Sequence, residues 1–392
     1  MNVVMRHILI VAGDPSADRH GAALATALRK RDSTLRISAM GGALLQKSSD
    51  HFLYPLVGVG GFGFWEPLAK LPQLWKAWTA FTRCLSRDRP DIVVPIDYYG
   101  FNGHVARRAH QKKIPVAYYV SPQVWASRPG RIRKLAASVS KMLVIFPFEV
   151  ALYRKAGVPV TFVGHPLLER LPSPATESPR LSFGLLPGSR RGTAARHLPL
   201  LVEVAERLKK EFPDARGILF RPEEIEEDFY RPYLKGAPWI EVTSDPAYEA
   251  RRSLWLVIGV SGTAALENML LGIPMVILYK LSRLSYWIAR ALIRVPYVGI
   301  PNILAGRAVV PELLQDDATP EALARAAGEL LRDPLKRSEM RTTLLSLRTA
   351  LHDGGSARAA EEILTLLTTS SPAVAGGGSR DPRLRHSGMT TR

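Results

Sequence analysis

Residues 7–21 read His-Ile-Leu-Ile-Val-Ala-Gly-Asp-Pro-Ser-Ala-Asp-Arg-His-Gly, an apolar run that stops at Gly-Asp-Pro. A short β-branched run closed by turn formers reads as a buried parallel strand feeding a helix. A secretory leader would carry ~7–15 apolar residues and a small-residue cleavage site, so this segment is not read as one.

Outward from it, the same unit recurs. Strands are expected at Leu35–Met40, Ile92–Ile96, Val116–Val120, Lys141–Ile145 and Thr161–Val163, separated by stretches of helical period. A second series follows at Leu181–Leu186, Arg216–Leu219, Ile240–Thr243, Leu256–Gly259 and Met275–Leu278. Strand–helix alternation of this kind is the mark of parallel, doubly wound sheets. Between the series lies Leu171-Pro-Ser-Pro-Ala-Thr-Glu-Ser-Pro179, whose three prolines mark a linker. Residues 318–333 and 335–368 read as amphipathic helices, and the chain from Ser370 onward is Ser/Gly/Pro-rich and expected to be disordered. The fold class is therefore α/β, with two doubly wound parallel sheets and a cleft between them.

Composition narrows the chemistry. The chain has 392 residues, 46% hydrophobic and 22% charged, which excludes fibrous and largely disordered classes. A single cysteine, Cys84, rules out an internal disulfide and a thiolate metal cluster, and fits a reducing cytoplasm. No stretch offers ~18 clean apolar residues; Leu254–Tyr279 is broken by Ser261, Gly262, Glu267, Asn268 and Pro274. The net charge of +18 favours an anionic partner: nucleic acid, an anionic lipid surface or a phosphorylated substrate. No RNP, helix-turn-helix or zinc pattern supports nucleic acid.

Ligands of such sheets bind beyond the carboxyl ends of the strands, and the unusual residues fall there. Gly13–Gly21 suits a tight turn and an N-cap, with Ser16 and backbone N–H groups open to an anion, or else is an ordinary turn. Asp97 follows Ile92–Ile96 directly; it is a general base at the cleft mouth or a helix cap. Tyr119–Lys134 interleaves aromatics with four cations, suiting phosphates or sugar rings. Gly188, Ser189 and Arg190 offer close backbone approach, a hydroxyl and a guanidinium fork. Ser261, Gly262 and Thr263 open a helix whose N-terminus favours a diphosphate, with Glu267 one turn further, in reach of ribose hydroxyls. The histidines show no metal-ligand spacing, and no Gly-x-Ser-x-Gly elbow occurs. Neither a metal nor a cofactor is expected.

In order, these segments, with Ile96-Asp-Tyr-Tyr-Gly-Phe-Asn102, Tyr118-Tyr-Val-Ser-Pro-Gln-Val-Trp-Ala126, Phe146-Pro-Phe-Glu149, Val163-Gly-His-Pro166 and Pro301-Asn-Ile-Leu-Ala-Gly-Arg307, resemble the lipid A disaccharide synthases. The resemblance spans about residues 7–368. It implies a GT-B fold of two Rossmann-like domains: residues 1–170 facing acceptor and membrane, a linker at 171–179, and residues 180–342 binding the UDP-sugar. Terminal helices at 343–369 would cross back to the first domain, leaving a basic tail at 370–392.

The implied reaction moves 2,3-diacylglucosamine from its UDP donor to the 6-hydroxyl of 2,3-diacylglucosamine 1-phosphate (lipid X), with inversion. The alternative is another UDP-sugar transferase, or a UDP-N-acetylglucosamine epimerase, of the same fold. Asp97 would be the base, Arg190 and Ser261–Thr263 would receive the diphosphate, and Glu267 would hold ribose, with Asn302 and Arg307 shaping the nucleotide site. The partners implied are the two lipid substrates and an anionic bilayer at the cytoplasmic face of the inner membrane, with a homodimer allowed and nucleic acid excluded. Val57–Trp65 with Leu68, Leu71 and Trp75 would dip into lipid or pack in the core. Departures cluster on the acceptor side: Asp14 and Ala17 stand for Glu and Gly, Tyr99 for Pro, Gly100 for Asp and Ser127 for Trp.

Overall fold

The computed structural model describes residues 5–58, 71–123, 130–281, 296–352 and 354–370. Among them, two parallel sheets form. The first contains β1 (His7–Ala12), β2 (Arg36–Gly41), β3 (His51–Pro55), β4 (Ile92–Ile96), β5 (Ala117–Tyr119), β6 (Lys141–Val144) and β7 (Val160–Phe162). Its order is β3-β2-β1-β4-β5-β6-β7. The second contains β8 (Ser182–Leu186), β9 (Arg216–Phe220), β10 (Glu241–Thr243), β11 (Leu256–Val260), β12 (Met275–Tyr279) and β13 (Glu312–Leu314), in the order β10-β9-β8-β11-β12-β13.

Each order reverses direction at one point, between β1 and β4 in the first sheet and between β8 and β11 in the second. Loops leaving neighbouring strands on opposite sides of that point diverge, which opens a crevice for ligand. Four of the five segments named from the sequence as chemical leave these four strands; the fifth, Tyr119–Lys134, follows β5.

The strands form because both faces are buried. In β1, Ile8, Ile10 and Ala12 join one core cluster while Leu9 and Val11 join another, and all five are inaccessible to solvent. Each such Leu, Ile or Val stabilises the fold by ~1.5–3 kcal/mol relative to exposure. β3 and β13 were not expected. Both are edge strands with half-exposed side chains, and so lack the apolar run that marks the interior ones.

Helix Pro334–Leu351 lies against the second sheet's side: Arg341 and Arg348 donate to the carbonyls of Gly272 and Leu270. Helix Gly355–Ser370 instead packs on the helix Pro15–Arg31 of the first sheet, with ion pairs Arg31–Glu361 and Lys141–Glu362. The single helix expected over 335–368 is thus two, parted at Gly354, whose φ of +114° no L side chain adopts comfortably. Residue 342 falls within the first of the two. The proline-rich stretch is extended and fastened to the second half: Trp255 Nε1 donates to Ser178 O at 2.7 Å, and Arg337 pairs with Glu177 at 3.1 Å. No described helix is long and apolar enough to cross a membrane.

Candidate active site

Asp97 and Tyr98 leave β4 with φ of +48° and +45°, a left-handed turn that side chains other than glycine rarely take. The turn persists because it is pinned from several sides. Asn102 Nδ2 donates to Ile96 O at 2.9 Å and to Asp97 O at 3.1 Å, and Tyr118 Oη donates to Asp97 O at 2.6 Å. The Asp97 N–H reaches the carbonyls of Tyr119 and Val120, 3.1 Å from each. Strain held this way is common where a side chain must be aimed.

The aimed group is the Asp97 carboxyl. Desolvation pushes its pKa up from 3.8 to about 7, the Asp14 charge adds to the rise, and the Tyr98 N–H works against it. A carboxyl with a pKa in this range can exchange a proton near neutral pH. The Tyr98 ring covers Gly13, where an added Cβ would stand 2.2 Å from Cδ1. Glycine is therefore required there by contact.

Asp14 caps helix Pro15–Arg31, its Oδ1 accepting from the N–H groups of Ser16 and Ala17, both at 2.9 Å. The Asp18 N–H goes to Asp14 O at 2.9 Å. This corrects one expectation: the backbone donors around Ser16 are already taken by Asp14, so the loop is not an open anion cradle. Asp18 accepts from Gly42, Leu44 and Leu45 N–H groups and ties the turn after β2.

Deeper in the same wall, His20 and His165 are held neutral. Burial lowers His20 to about 4, helped by Arg19 and opposed by Asp14; burial lowers His165 to about 3. Buried Ser121 donates to Glu149, whose other oxygen accepts the Phe146 N–H at 3.1 Å. Arg131 lies over the Tyr99 ring, 4.4 Å from its centre. Residues 124–129, which include Trp125 and Ser127, lie outside the described residues.

On the second sheet, Gly188 (φ +118°) and Gly262 (φ +142°) occupy backbone regions that require glycine, one after β8 and one after β11. Ser189 and Arg190 are exposed at the start of helix Arg191–Glu211. Gly262 is the N-cap of helix Thr263–Leu270, and no side chain caps that end. Ser261 Oγ donates to Val298 O at 3.2 Å. Glu267 is held by Tyr248 Oη at 3.0 Å and by Arg251 Nη2 at 2.9 Å.

Asn302, expected to help shape the nucleotide site, is built into the protein. It is buried, donating to Val310 O at 2.9 Å and Glu312 Oε1 at 2.7 Å, and accepting from Val309 and Val310 N–H at 2.7 and 2.9 Å. These four hydrogen bonds engage its amide fully. Glu312, not singled out in the sequence, also takes the Val298 and Gly299 N–H groups, both at 2.9 Å. Arg307 is exposed beyond Gly306 and pairs with no carboxylate among the described residues.

Arg170 adds the smallest of the electrostatic contributions that lower His20 and act on Tyr248. Sequence reading also passed over Asp14 as a charge, Tyr248 and Arg251; the last two lie 19 and 16 residues from their shared partner, with no motif to link them. No group of three metal-binding side chains occurs among the described residues.

Two Rossmann-like parallel sheets, each with one switch point, have the architecture of GT-B-type glycosyltransferases. Solved structures agree on the fold: UDP-GlcNAc 2-epimerase from Neisseria meningitidis has a TM-score of 0.61 at 13% identity over 93% of this chain and 100% of that one. CalG4, the calicheamicin glycosyltransferase, has 0.61 at 16% identity, covering 94% and 100%. In sequence, the lipid-A-disaccharide synthetase family matches residues 8–366. The lipid-A-disaccharide synthase of Geobacter metallireducens is 38% identical over 374 residues, 92% of this chain and 97% of that protein. That of Alkalilimnicola ehrlichii is 37% identical over 388 residues, 95% and 100%. The chain belongs to this family, and is a glycosyltransferase of lipid A biosynthesis.

Proposed function

We propose that the protein is an inverting transferase that moves 2,3-diacylglucosamine from UDP to the 6-hydroxyl of lipid X, yielding the disaccharide 1-phosphate and UDP. The observation that carries this reading is Asp97: a carboxyl in a pinned, left-handed turn at the switch point, with its pKa raised to about 7. Inversion needs one base on the acceptor hydroxyl and a stabilised leaving group. Asp97 takes the 6-hydroxyl proton as the oxygen attacks the anomeric carbon, and the anomeric C–O bond breaks towards UDP. Base catalysis of this kind contributes ~10²–10⁴-fold.

The departing diphosphate meets the uncapped helix start at Ser261, Gly262 and Thr263, with Gly188, Ser189 and Arg190 from the facing strand loop. Fixed dipoles aimed at developing charge stabilise a leaving group without reorganising. Glu267 receives the ribose hydroxyls. Ser16 and Arg307 line the edges, and Asn302 holds the wall behind Ser261 through Glu312 and Val298. Residues 1–170 then form the acceptor half and 180–342 the donor half, joined at 171–179 and strapped by the terminal helices.

We place the enzyme at the cytoplasmic face of the inner membrane. Leu71 and Trp75 are 54% and 68% exposed at one end of helix Leu71–Arg87, beside a groove of about 240 Å³ that includes His104, Arg107 and Arg108. The rest of the apolar stretch, residues 59–70, lies outside the described residues.

The test is disaccharide formation from UDP-diacylglucosamine and lipid X, followed by mass spectrometry with Asp97→Asn alongside. Product from wild type and a loss of ~10²-fold or more in the variant are expected. No product with UDP still bound moves the assignment to a different acceptor, in the region of Tyr99, Gly100 and Ser127. An unimpaired Asp97→Asn removes Asp97 from its role.

A further inference from the structure

We propose that Tyr248 and Arg251 are positioning residues for recognition of the donor's ribose, fixing the carboxylate of Glu267 so that the site selects a ribonucleoside diphosphate over its deoxy counterpart. The inference rests on the reading that Glu267 meets ribose.

The geometry is a closed triangle. Tyr248 Oη donates to Oε1 of Glu267 at 3.0 Å, Arg251 Nη2 donates to Oε2 at 2.9 Å, and the Arg251 guanidinium lies 4.6 Å from the centre of the Tyr248 ring. All three side chains are largely shielded: those of Arg251 and Glu267 are 8% and 16% exposed, and Tyr248 is 9% exposed overall. Each carboxylate oxygen thus has one donor from the protein and keeps lone pairs for a hydroxyl.

The loop behind the triangle is built for it. Tyr248 has φ +61°, a region where a bulky side chain persists only if its surroundings over-determine it. Asp245 supplies that: its carbonyl accepts the Tyr248 N–H at 3.1 Å and its Oδ2 accepts the Arg251 N–H at 2.8 Å. Both donors are therefore set before ligand arrives. A glutamate on an open helix face would have to order its side chain on binding; one already clamped does not. A site that spends its polar groups on a hydroxyl also rejects the analogue lacking it, because the groups are left unpaired.

The experiment is titration calorimetry of UDP and 2′-deoxy-UDP against the full chain, wild type, Glu267→Gln, Tyr248→Phe and Arg251→Lys. Wild type is expected to prefer UDP by about tenfold or more. Glu267→Gln should erase most of that preference. Tyr248→Phe, which removes one oxygen and keeps the ring, should cut it about three- to tenfold while 2′-deoxy-UDP affinity stays within about twofold. Arg251→Lys, which keeps the charge, should act the same way and less strongly. Equal losses for both nucleotides in Tyr248→Phe would mean a purely structural role and overturn the proposal. So would a preference lost in Glu267→Gln but intact in Tyr248→Phe. A preference untouched by Glu267→Gln removes Glu267 from the ribose and takes the proposal with it; failure of wild type to bind UDP overturns the donor assignment itself.

Discussion

Asp14 gives one carboxylate oxygen to the N–H groups of Ser16 and Ala17, and its charge raises the pKa of Asp97. The two acids follow β1 and β4, the adjacent strands on either side of the switch point. Like charges that face one crevice cannot both ionise cheaply. Burial is the larger cause and the Asp14 charge adds to it, so the proton stays on Asp97 up to near neutrality.

Turnover should therefore rise with pH through about 7, as Asp97 loses its proton and becomes a base. Asp14→Asn removes a contributor to the rise, so the acid limb of kcat/KM should move to lower pH. Desolvation is the larger cause, so the limb should not return to the ordinary carboxylate range. The measurement is kcat/KM from pH 5 to 9 for both proteins. An acid limb that stays in place in the variant would break the link between the two carboxyls.

The same shift has a cost in stability. An acid whose pKa rises from 3.8 to about 7 on folding holds its proton better folded than unfolded. Its contribution favours folding at low pH and is lost as pH rises from about 4 to about 7. Asp97→Asn takes that penalty away at pH 8 and nothing comparable at pH 4. The variant should lose ~10²-fold or more in activity yet be more stable than wild type at pH 8, by on the order of 1–4 kcal/mol. Denaturant melts at the two pH values check this, and an equal effect at both would contradict it.

Interior strands were legible because burial on both faces leaves a run such as His7–Ala12 or Ile92–Ile96 almost without polar residues. β3 and β13 were not, since an edge strand such as His51–Pro55 needs no such run. The site was legible where its chemistry is backbone-driven: glycines and small hydroxyl residues after β8 and β11 announce turns and helix starts. It was not where partners meet only through the fold. Tyr248, Arg251 and Glu312 carry no local signature, and nothing in the sequence around Asn302 shows the four hydrogen bonds that hold its amide.

Asn302 provides a test of that distinction. Replacing it with Ala leaves the N–H groups of Val309 and Val310 without their acceptor and the Val310 carbonyl without its donor. Buried groups orphaned this way cost ~1–3 kcal/mol each. Asn302→Ala should lower the Tm by several degrees, and its UDP affinity below that temperature should fall far less than that of Glu267→Gln. Full stability together with lost UDP binding would show Asn302 acting on ligand directly.

At the far edge of the first sheet, helix Leu71–Arg87 buries Ala77, Phe81, Cys84 and Leu85 and leaves Leu71 and Trp75 in solvent. The two exposed side chains are four residues apart, hence on one face of the helix. Folding gains little from either, so their value lies in what covers them. Lys76 and Arg83 are exposed on the same helix, and His104, Arg107 and Arg108 line the groove beside it. An apolar pair flanked by cations suits an anionic bilayer, where tryptophan settles at headgroup level and each nearby cation contributes ~1 kcal/mol. Leu71→Ser with Trp75→Ser should leave the Tm within about a degree of wild type. It should weaken co-sedimentation with phosphatidylcholine vesicles containing phosphatidylglycerol by at least about tenfold, matching ~1.5–3 kcal/mol per large apolar side chain withdrawn from lipid. Raising salt should release wild type further from such vesicles, because surface charge attraction is screened within ~8 Å at physiological ionic strength. Vesicle binding that survives both the double substitution and high salt would move the membrane contact to another face.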